Sequence, residues 1–391
     1  MRLAILLDDR ITDWDAKGEI LPAYFNPAGV ADHITIVGLL ADKPAAATLA
    51  TLTAPAEWTF ISVDMGRFGL ALRTLGMRPV LLRRALRSVL KGLREQKPDL
   101  IRAYGDGFAA AAAGVIGPAI GIPYVISLHA TPDPVIRRQY ASLRDRFWRW
   151  LLAPSVEAAL RGAQRIIAVY SPILSFLSEP VRDRAVVLPN VVAAQPQAVR
   201  HENGPDGTGN NLRLLWIGRL IPGRDPTPVI EAVASRQDML LTVVGSGPLL
   251  PIARDLAARL GIDHRVRFIP ALENAQLIAE LGNYEVLVLR TDYAELAKPV
   301  MEAALAGLVV VINHQPSAVL DEYRGFPVVF TDATAESYSA AFCRLADDCR
   351  WRQDLARQTY AFAREHWNPD VVARRIADIM RDATANKRDI R

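Results

Sequence analysis

Leu214-Leu-Trp-Ile-Gly-Arg-Leu-Ile-Pro-Gly-Arg-Asp-Pro226 and Lys298-Pro-Val-Met-Glu-Ala-Ala-Leu-Ala-Gly-Leu-Val-Val-Val-Ile312 are the stretches on which the reading of this chain turns. In the first, the apolar run Leu214–Ile217 has the length of a buried strand and stops at Gly218. Asp225 is a good helix N-cap and Pro226 suits a first helical position. The second runs the other way. Pro299 starts a helix, Gly307 closes it as a C-cap, and Val309–Ile312 reads as a buried strand. Strand to helix and helix to strand, joined by short glycine turns, is the pattern of a parallel sheet with crossover helices.

The same grammar extends outward. In the first half the strand candidates are Leu3–Leu7, Ile34–Val37, Leu100–Ala103, Tyr124–Ser127, Ile166–Val169 and Val186–Leu188. In the second they are Leu212–Ile217, Leu240–Val244, Val266–Ile269, Val286–Leu289, Val309–Ile312 and Val328–Phe330. Between the two sets, Ala193 to Asn211 is irregular and polar with no apolar period, which marks a linker or exposed loop. Two doubly wound domains are therefore expected, 1–200 and 201–365. The 391 residues suit two cores, and a hydrophobic content of 51% argues against global disorder.

Several function classes lose ground at this level. Cys343 and Cys349 have neither metal nor redox spacing and read as inert thiols in a reducing compartment. Met1–Asp9 is too short an apolar run for a signal peptide and reads as a first strand. The uncharged stretch Phe108 to Leu128 has the length of a membrane span. Its alanines, glycines, Pro118 and Pro123 favour a buried helix followed by a strand. Residues 1–200 hold 24 Lys+Arg and 17 Asp+Glu, a balance of +7, whereas residues 201–391 hold 22 and 25, a balance of −3. An anionic partner is thus expected for the first half. No nucleic-acid module accompanies the charge.

Chemistry is suggested where strands end. Arg219 and Arg224 flank a tight turn at the carboxyl end of a strand, where open α/β sheets bind ligands and paired guanidinium forks suit phosphate oxygens. Two solvated arginines on a surface turn fit those residues equally well. Glu302 falls in the early turns of its helix, where it could accept two ribose hydroxyls or serve only the helix dipole. The start of that helix, at Lys298, could lend N–H groups to a phosphate. Gly245-Ser-Gly-Pro248 allows close backbone approach but lacks a dinucleotide fingerprint.

In combination these residues resemble the retaining glycosyltransferases of family 4, which have the GT-B fold. The resemblance rests on Gly218-Arg219-Leu220 with Arg224, Gly245-Ser-Gly-Pro248, Val266-Arg-Phe-Ile-Pro270 and Glu302-Ala-Ala-Leu-Ala-Gly307, about 110 residues in order. The first half matches more loosely through Pro98-Asp-Leu-Ile, Gly121-Ile-Pro-Tyr-Val-Ile-Ser-Leu-His129 and Val187-Leu-Pro-Asn190. The resemblance implies an α/β fold of two Rossmann-like domains facing each other across a cleft. The first would bind the acceptor, the second a nucleotide-sugar donor with UDP or GDP, and helices at about 366–391 would cross back to the first.

It also implies roles. Arg219 and Arg224, the latter where the family has lysine, hold the diphosphate, Gly218 belongs to the donor site, Glu302 holds the ribose, Ala271 and Leu272 edge the base, and His129 contacts the donor sugar near the reacting carbon. Ala stands at position 294 where the family has its first glutamate, and Glu295 lies one residue away. Lys298 completes the donor set, and Gly18 is the candidate for backbone approach to phosphate in the first half. Transfer with retention is expected, needing neither cofactor nor metal, since Asp8-Asp9 forms no convincing metal site.

From Arg67 to Lys97 there are nine basic residues, with Glu95 the acid in the helical part. Leu81, Leu82, Leu86, Val89, Leu90 and Leu93 form an apolar stripe, and Arg83, Arg84, Arg87, Lys91 and Arg94 lie around the other face. Arg137 to Trp150 adds Arg138, Arg144, Arg146, Phe147, Trp148 and Arg149. Core-packed amphipathic helices are the plainer reading. The alternative is docking on an anionic membrane surface that presents a lipid-linked acceptor. The expected setting is cell-surface polysaccharide or lipopolysaccharide assembly, cytoplasmic or peripheral on the inner membrane face. A nucleotide-sugar epimerase or a non-catalytic nucleotide-sugar-binding protein are the rival readings.

Overall fold

The computed structural model describes residues 1–64, 82–84, 86–129, 143–193, 211–314 and 320–385. The chain forms two compact units. Unit 1 comprises Met1–Val191 and Asp370–Arg391, and unit 2 comprises Val192–Pro369.

Unit 1 carries seven strands: β1 (Arg2–Leu7), β2 (His33–Gly38), β3 (Glu57–Ser62), β4 (Leu100–Tyr104), β5 (Tyr124–Leu128), β6 (Arg165–Ala168) and β7 (Ala185–Val187). They pair in parallel in the order β3-β2-β1-β4-β5-β6-β7. Leu3 of β1 sits opposite Ile34 on one side and Leu100 on the other. Leu3 to Leu7 are buried in succession, as a strand covered on both faces requires. The helices of this unit are α1 (Ile11–Ala16), α2 (Ala46–Thr53), α3 (Arg87–Gln96), α4 (Phe108–Ile120), α5 (Leu143–Gly162) and the short α6 (Glu179–Arg182). The uncharged stretch is α4 running into β5 through Gly121, and no helix among the described residues is long and apolar enough to cross a membrane.

Unit 2 carries β8 (Leu212–Ile217), β9 (Met239–Val244), β10 (Val266–Ile269), β11 (Val286–Leu289), β12 (Val309–Asn313) and β13 (Val329–Thr331). All pairs are parallel, in the order β10-β9-β8-β11-β12-β13. Its helices are α7 (Thr227–Ala234), α8 (Leu250–Arg259), α9 (Asn274–Glu280), α10 (Lys298–Leu305), α11 (Ala335–Asp347) and α12 (Cys349–His366). Trp216, Val243 and Val288 pack with Tyr338 and Phe342 of α11 in its core. The last helix, α13 (Pro369–Ala385), lays Val372, Ile376, Ala377, Met380 and Ala383 into the core of unit 1 beside Leu3, Ile5 and Leu7.

Two differences from the sequence reading have physical causes. Strand β3 was not expected. It is an edge strand, half-buried along Trp58–Ile61, and its Glu-Trp-Thr-Phe-Ile-Ser sequence offers no continuous apolar run. Helix α7 begins at Thr227 rather than Pro226, because Asp225 Oδ1 accepts the Thr227 N–H at 2.9 Å and Pro226 takes the cap position. Along Leu82–Gln96 the core-packed reading of the basic stretch holds: Leu82, Leu86, Val89, Leu90 and Leu93 are buried, while Arg83, Arg84, Arg87, Lys91 and Arg94 are exposed. Arg67 to Leu81, Arg137, Arg138, the side chains of Arg144 and Trp148, and linker positions 194–210 lie outside the described residues.

Candidate functional site

In unit 2 the chain leaves β8 toward β9 and β10 on one side, and returns at β11 to build outward on the other. The carboxyl ends of β8 and β11 therefore flank the crevice where the strand order reverses, which is where such sheets take ligands. The turn Gly218–Asp225 follows β8, and the loop Arg290–Ala297 follows β11. They are tied together: Asp292 N–H donates to the Gly223 carbonyl at 2.9 Å, and Arg290 Nη1 to the Pro222 carbonyl at 3.0 Å.

The turn itself is shaped by close backbone packing. Gly218 N–H donates to Val244 O and Leu220 N–H to Ser246 O, each at 3.0 Å. Gly245 (φ 150°) and Gly247 (φ 151°) lie against that turn, and a Cβ on them would come within 1.9 Å of the Gly218 carbonyl oxygen and 2.3 Å of the Leu220 oxygen. Gly-Ser-Gly-Pro thus lets β9's loop press against β8's and fix where the arginines stand. Arg219 is exposed on this turn. Arg224 is half-buried, donates from Nη2 to Glu295 Oε1, and sits 5.1 Å from the Tyr293 ring centroid.

Glu295 therefore sits on Arg224, while Ala294, at the position of the family's first glutamate, is buried. Asn313 is buried, accepts the Thr291 N–H at 2.8 Å and donates to the Thr291 carbonyl at 3.0 Å, holding the start of that loop.

Helix α10 begins at Lys298 with Pro299 in its first turn. It ends in a Schellman motif, with Leu308 N–H on Ala303 O and Gly307 N–H on Ala304 O, both at 2.9 Å, and Gly307 at φ 78°. Glu302 is only 4% exposed. Burial pushes its carboxyl above the ordinary glutamate value, opposed by a hydrogen bond from Asn274 and the charge of Lys298. Asn274 Nδ2 donates to Glu302 Oε1 at 3.2 Å. Asn274 opens α9, directly after the loop from β10 that carries exposed Ala271 and half-buried Leu272. The structure thus brings Gly218, Arg219, Arg224, Glu295, Lys298, Glu302, Ala271 and Leu272 to one edge of one sheet. A basic turn and a buried carboxylate on that edge can hold a diphosphate and a polyhydroxylated ring. Spacing had not signalled Asn274, Tyr293 or Asn313, whose partners are distant in the chain.

Gly18 and His129 stand in unit 1. Gly18 follows α1 at φ 70°. His129 follows β5, stacks on Tyr104 with centroids 5.2 Å apart, and its Nδ1 lies 2.9 Å from Asn190 Oδ1. At the order reversal of this sheet, between β1 and β4, lies Asp8. Its Oδ2 accepts the Ala109 N–H of α4 at 3.1 Å. Burial raises the Asp8 carboxyl from 3.8 to about 6, with that hydrogen bond opposing.

A raised carboxyl pKa means that the folded state holds its proton while the unfolded chain loses it. The penalty is absent below 3.8, grows as pH rises, and is complete above about 6. Asp8→Asn keeps an acceptor for Ala109 and removes the charge. It should stabilise unit 1 by about 1–3 kcal/mol at pH 7.5 and by almost nothing at pH 3.5, read as the pH dependence of Tm.

Comparison with known proteins extends this picture. Residues 37–195 match the model Glycosyltransferase Family 4, and residues 206–362 match Glycosyl transferases group 1. The 2-deoxystreptamine glucosyltransferase of Streptomyces kanamyceticus is 26% identical over 60% of this chain and 65% of its own length. The 2-deoxystreptamine N-acetyl-D-glucosaminyltransferase of Streptomyces fradiae is 26% identical over 56% of this chain and 55% of its own. The chain thus spans somewhat more than half the length of these curated relatives. Among solved structures, Anabaena Alr3699/HepE in complex with UDP superposes with a TM-score of 0.72 at 18% identity, covering 98% of this chain and all of that one, a likeness of fold.

Proposed function

Because the chain belongs to the GT-B glycosyltransferases of family 4 and group 1, we propose that it moves a sugar, with retention of configuration, from a nucleotide-sugar donor to a glycan or lipid-linked acceptor. The observation that carries this reading is the shared sheet edge in unit 2. Arg219 and Arg224 stand on the β8 turn, and Glu302 is buried on α10 and held by Asn274 beside the β10 loop. In this proposal unit 2 takes the donor. Arg219 and Arg224 stabilise the charge that builds on the departing diphosphate as the sugar bond lengthens toward an oxocarbenium-like state. Glu302 accepts ribose hydroxyls, Ala271 and Leu272 edge the base, and Lys298 adds charge at the start of α10. Glu295 orients Arg224. The acceptor hydroxyl gives its proton to the leaving phosphate, so no protein base is needed. In this proposal Gly18 and His129, which stand in unit 1, keep the donor roles that the resemblance implies, backbone approach to phosphate and contact with the donor sugar, and unit 1 also takes the acceptor.

The solved structures with UDP and with UDP-glucose, both of Anabaena Alr3699/HepE, support a uridine donor as the first candidate. We place the reaction in cell-surface glycan or glycolipid assembly at the cytoplasmic face of a membrane. Support for that setting comes from α5, where Phe147 and Trp150, 48% and 71% exposed, each adjoin an exposed arginine, Arg146 and Arg149. Apolar rings among arginines suit an anionic lipid surface. The test is release of nucleoside diphosphate from UDP- and GDP-sugars with and without a lipid extract as acceptor source. Acceptor-dependent release supports transfer. Binding with neither release nor transfer would favour a nucleotide-sugar-binding protein.

Glu302→Gln separates function from fold. The amide still accepts from Asn274 and removes a buried charge, so Tm should hold or rise. Two charge-assisted hydrogen bonds to ribose are weakened, so nucleotide affinity should fall about 10- to 100-fold by calorimetric titration.

A further inference from the structure

Arg224 meets two side chains from one loop. Its Nη2 donates to Glu295 Oε1, and its guanidinium lies 5.1 Å from the Tyr293 ring centroid. Glu295 N–H donates to the Tyr293 carbonyl at 3.1 Å, a three-residue turn that brings both side chains to the same guanidinium. The two contacts act differently. The carboxylate fixes one edge of the fork, and the ring lies beside it, where the aromatic quadrupole attracts a cation. Because the guanidinium is planar, one edge and one face set its orientation.

The ring is itself seated on backbone. Gly223 is buried and precedes Arg224, and a Cβ on it would come within 2.6 Å of the Tyr293 hydroxyl oxygen and 2.7 Å of a ring carbon. Tyr293 N–H donates to Thr291 Oγ1 at 3.1 Å. Thr291 is buried, and the buried Asn313 of β12 bonds both its N–H and its carbonyl. The contacts thus run from β12 through Thr291 to the ring, and from the ring to the guanidinium. Lysine could not be held in this way, since an ammonium is a point charge on a flexible stem.

We propose that Tyr293 is a positioning residue for the donor diphosphate: its ring holds the Arg224 fork in the plane from which it meets phosphate, so that arginine rather than lysine is required at 224. This rests on the donor reading of the unit 2 edge and deepens it. Calorimetric titration of the full chain with UDP and UMP tests it, or with GDP and GMP if guanosine is the base bound. The monophosphate keeps ribose and base but lacks the second phosphate.

Tyr293→Leu should weaken the diphosphate about 3- to 10-fold and the monophosphate less than about twofold. Tyr293→Phe keeps the ring and should restore most of the loss. In an Arg224→Ala background, Tyr293→Leu should change diphosphate affinity by less than about twofold, because the ring acts through the guanidinium. Arg224→Lys should weaken the diphosphate by at least about threefold, and carries the test if Tyr293→Leu does not fold. Wild-type affinity in Tyr293→Leu or in Arg224→Lys, or an equal loss for both nucleotides or in both backgrounds, would overturn this inference alone. A wild-type protein that binds neither diphosphate would overturn the donor reading and this inference with it.

Discussion

Arg219→Ala should lower kcat/KM for sugar transfer by about 100- to 1000-fold while leaving Tm within about 1 °C of wild type. The size follows from the role proposed for Arg219. A guanidinium aimed at a departing diphosphate acts where charge develops, and removing one such group costs about 2.7–4 kcal/mol. The lack of a stability cost follows from placement, because Arg219 is exposed on the β8 turn and exposed substitutions usually stay within about 0.5 kcal/mol. Arg219→Lys keeps the charge without the fork and should recover only part of the loss. Steady-state kinetics with a fixed donor, beside a thermal melt, checks both halves. Equal loss of Tm and rate would mean that Arg219 serves the fold.

Gly245→Ala should destabilise unit 2 by about 3–5 kcal/mol, a drop in Tm on the order of 10 °C, and abolish nucleotide binding with it. The backbone at φ 150° disfavours any Cβ, and this one would meet the Gly218 carbonyl oxygen at 1.9 Å. Neither partner yields easily, since both are backbone directly after the β8–β9 ladder, held by Gly218 N–H on Val244 O and Gly245 N–H on Ile269 O. Gly261→Ala is the control. It shares a positive φ, 67°, but a Cβ there meets nothing within 4 Å, so only the backbone cost of about 1–2 kcal/mol applies. A Gly245→Ala protein as stable as the Gly261→Ala protein would show that the two loops do not pack as described.

The parallel sheets were legible in the sequence because strands buried on both faces must be continuous apolar runs. Leu214–Ile217 and Val309–Ile312 could hardly be anything else. Strand β3 escaped because it is an edge, where Glu57, Thr59 and Ser62 are tolerated beside Trp58 and Phe60. The arginine turn and Glu302 were legible because strand ends and helix starts are positions with assigned chemistry.

Their partners were not. Glu295 reaches Arg224 across 71 residues and Asn274 reaches Glu302 across 28, distances that no local period encodes. Arg102 is the instructive residue, a charge only 4% exposed in the middle of β4. A charge in the run Leu-Ile-Arg-Ala-Tyr is foreign to a buried strand, and that conflict alone could have marked it.

The most direct measurement is calorimetric titration of the full chain with UDP, GDP and ADP, repeated on Arg219→Ala and Glu302→Gln. One nucleoside diphosphate binding at one site per chain, weakened at least tenfold in each folded variant, is the expected result. A folded protein that binds none of the three, or binds one equally well in both variants, would contradict a donor site at the β8–β11 edge of unit 2.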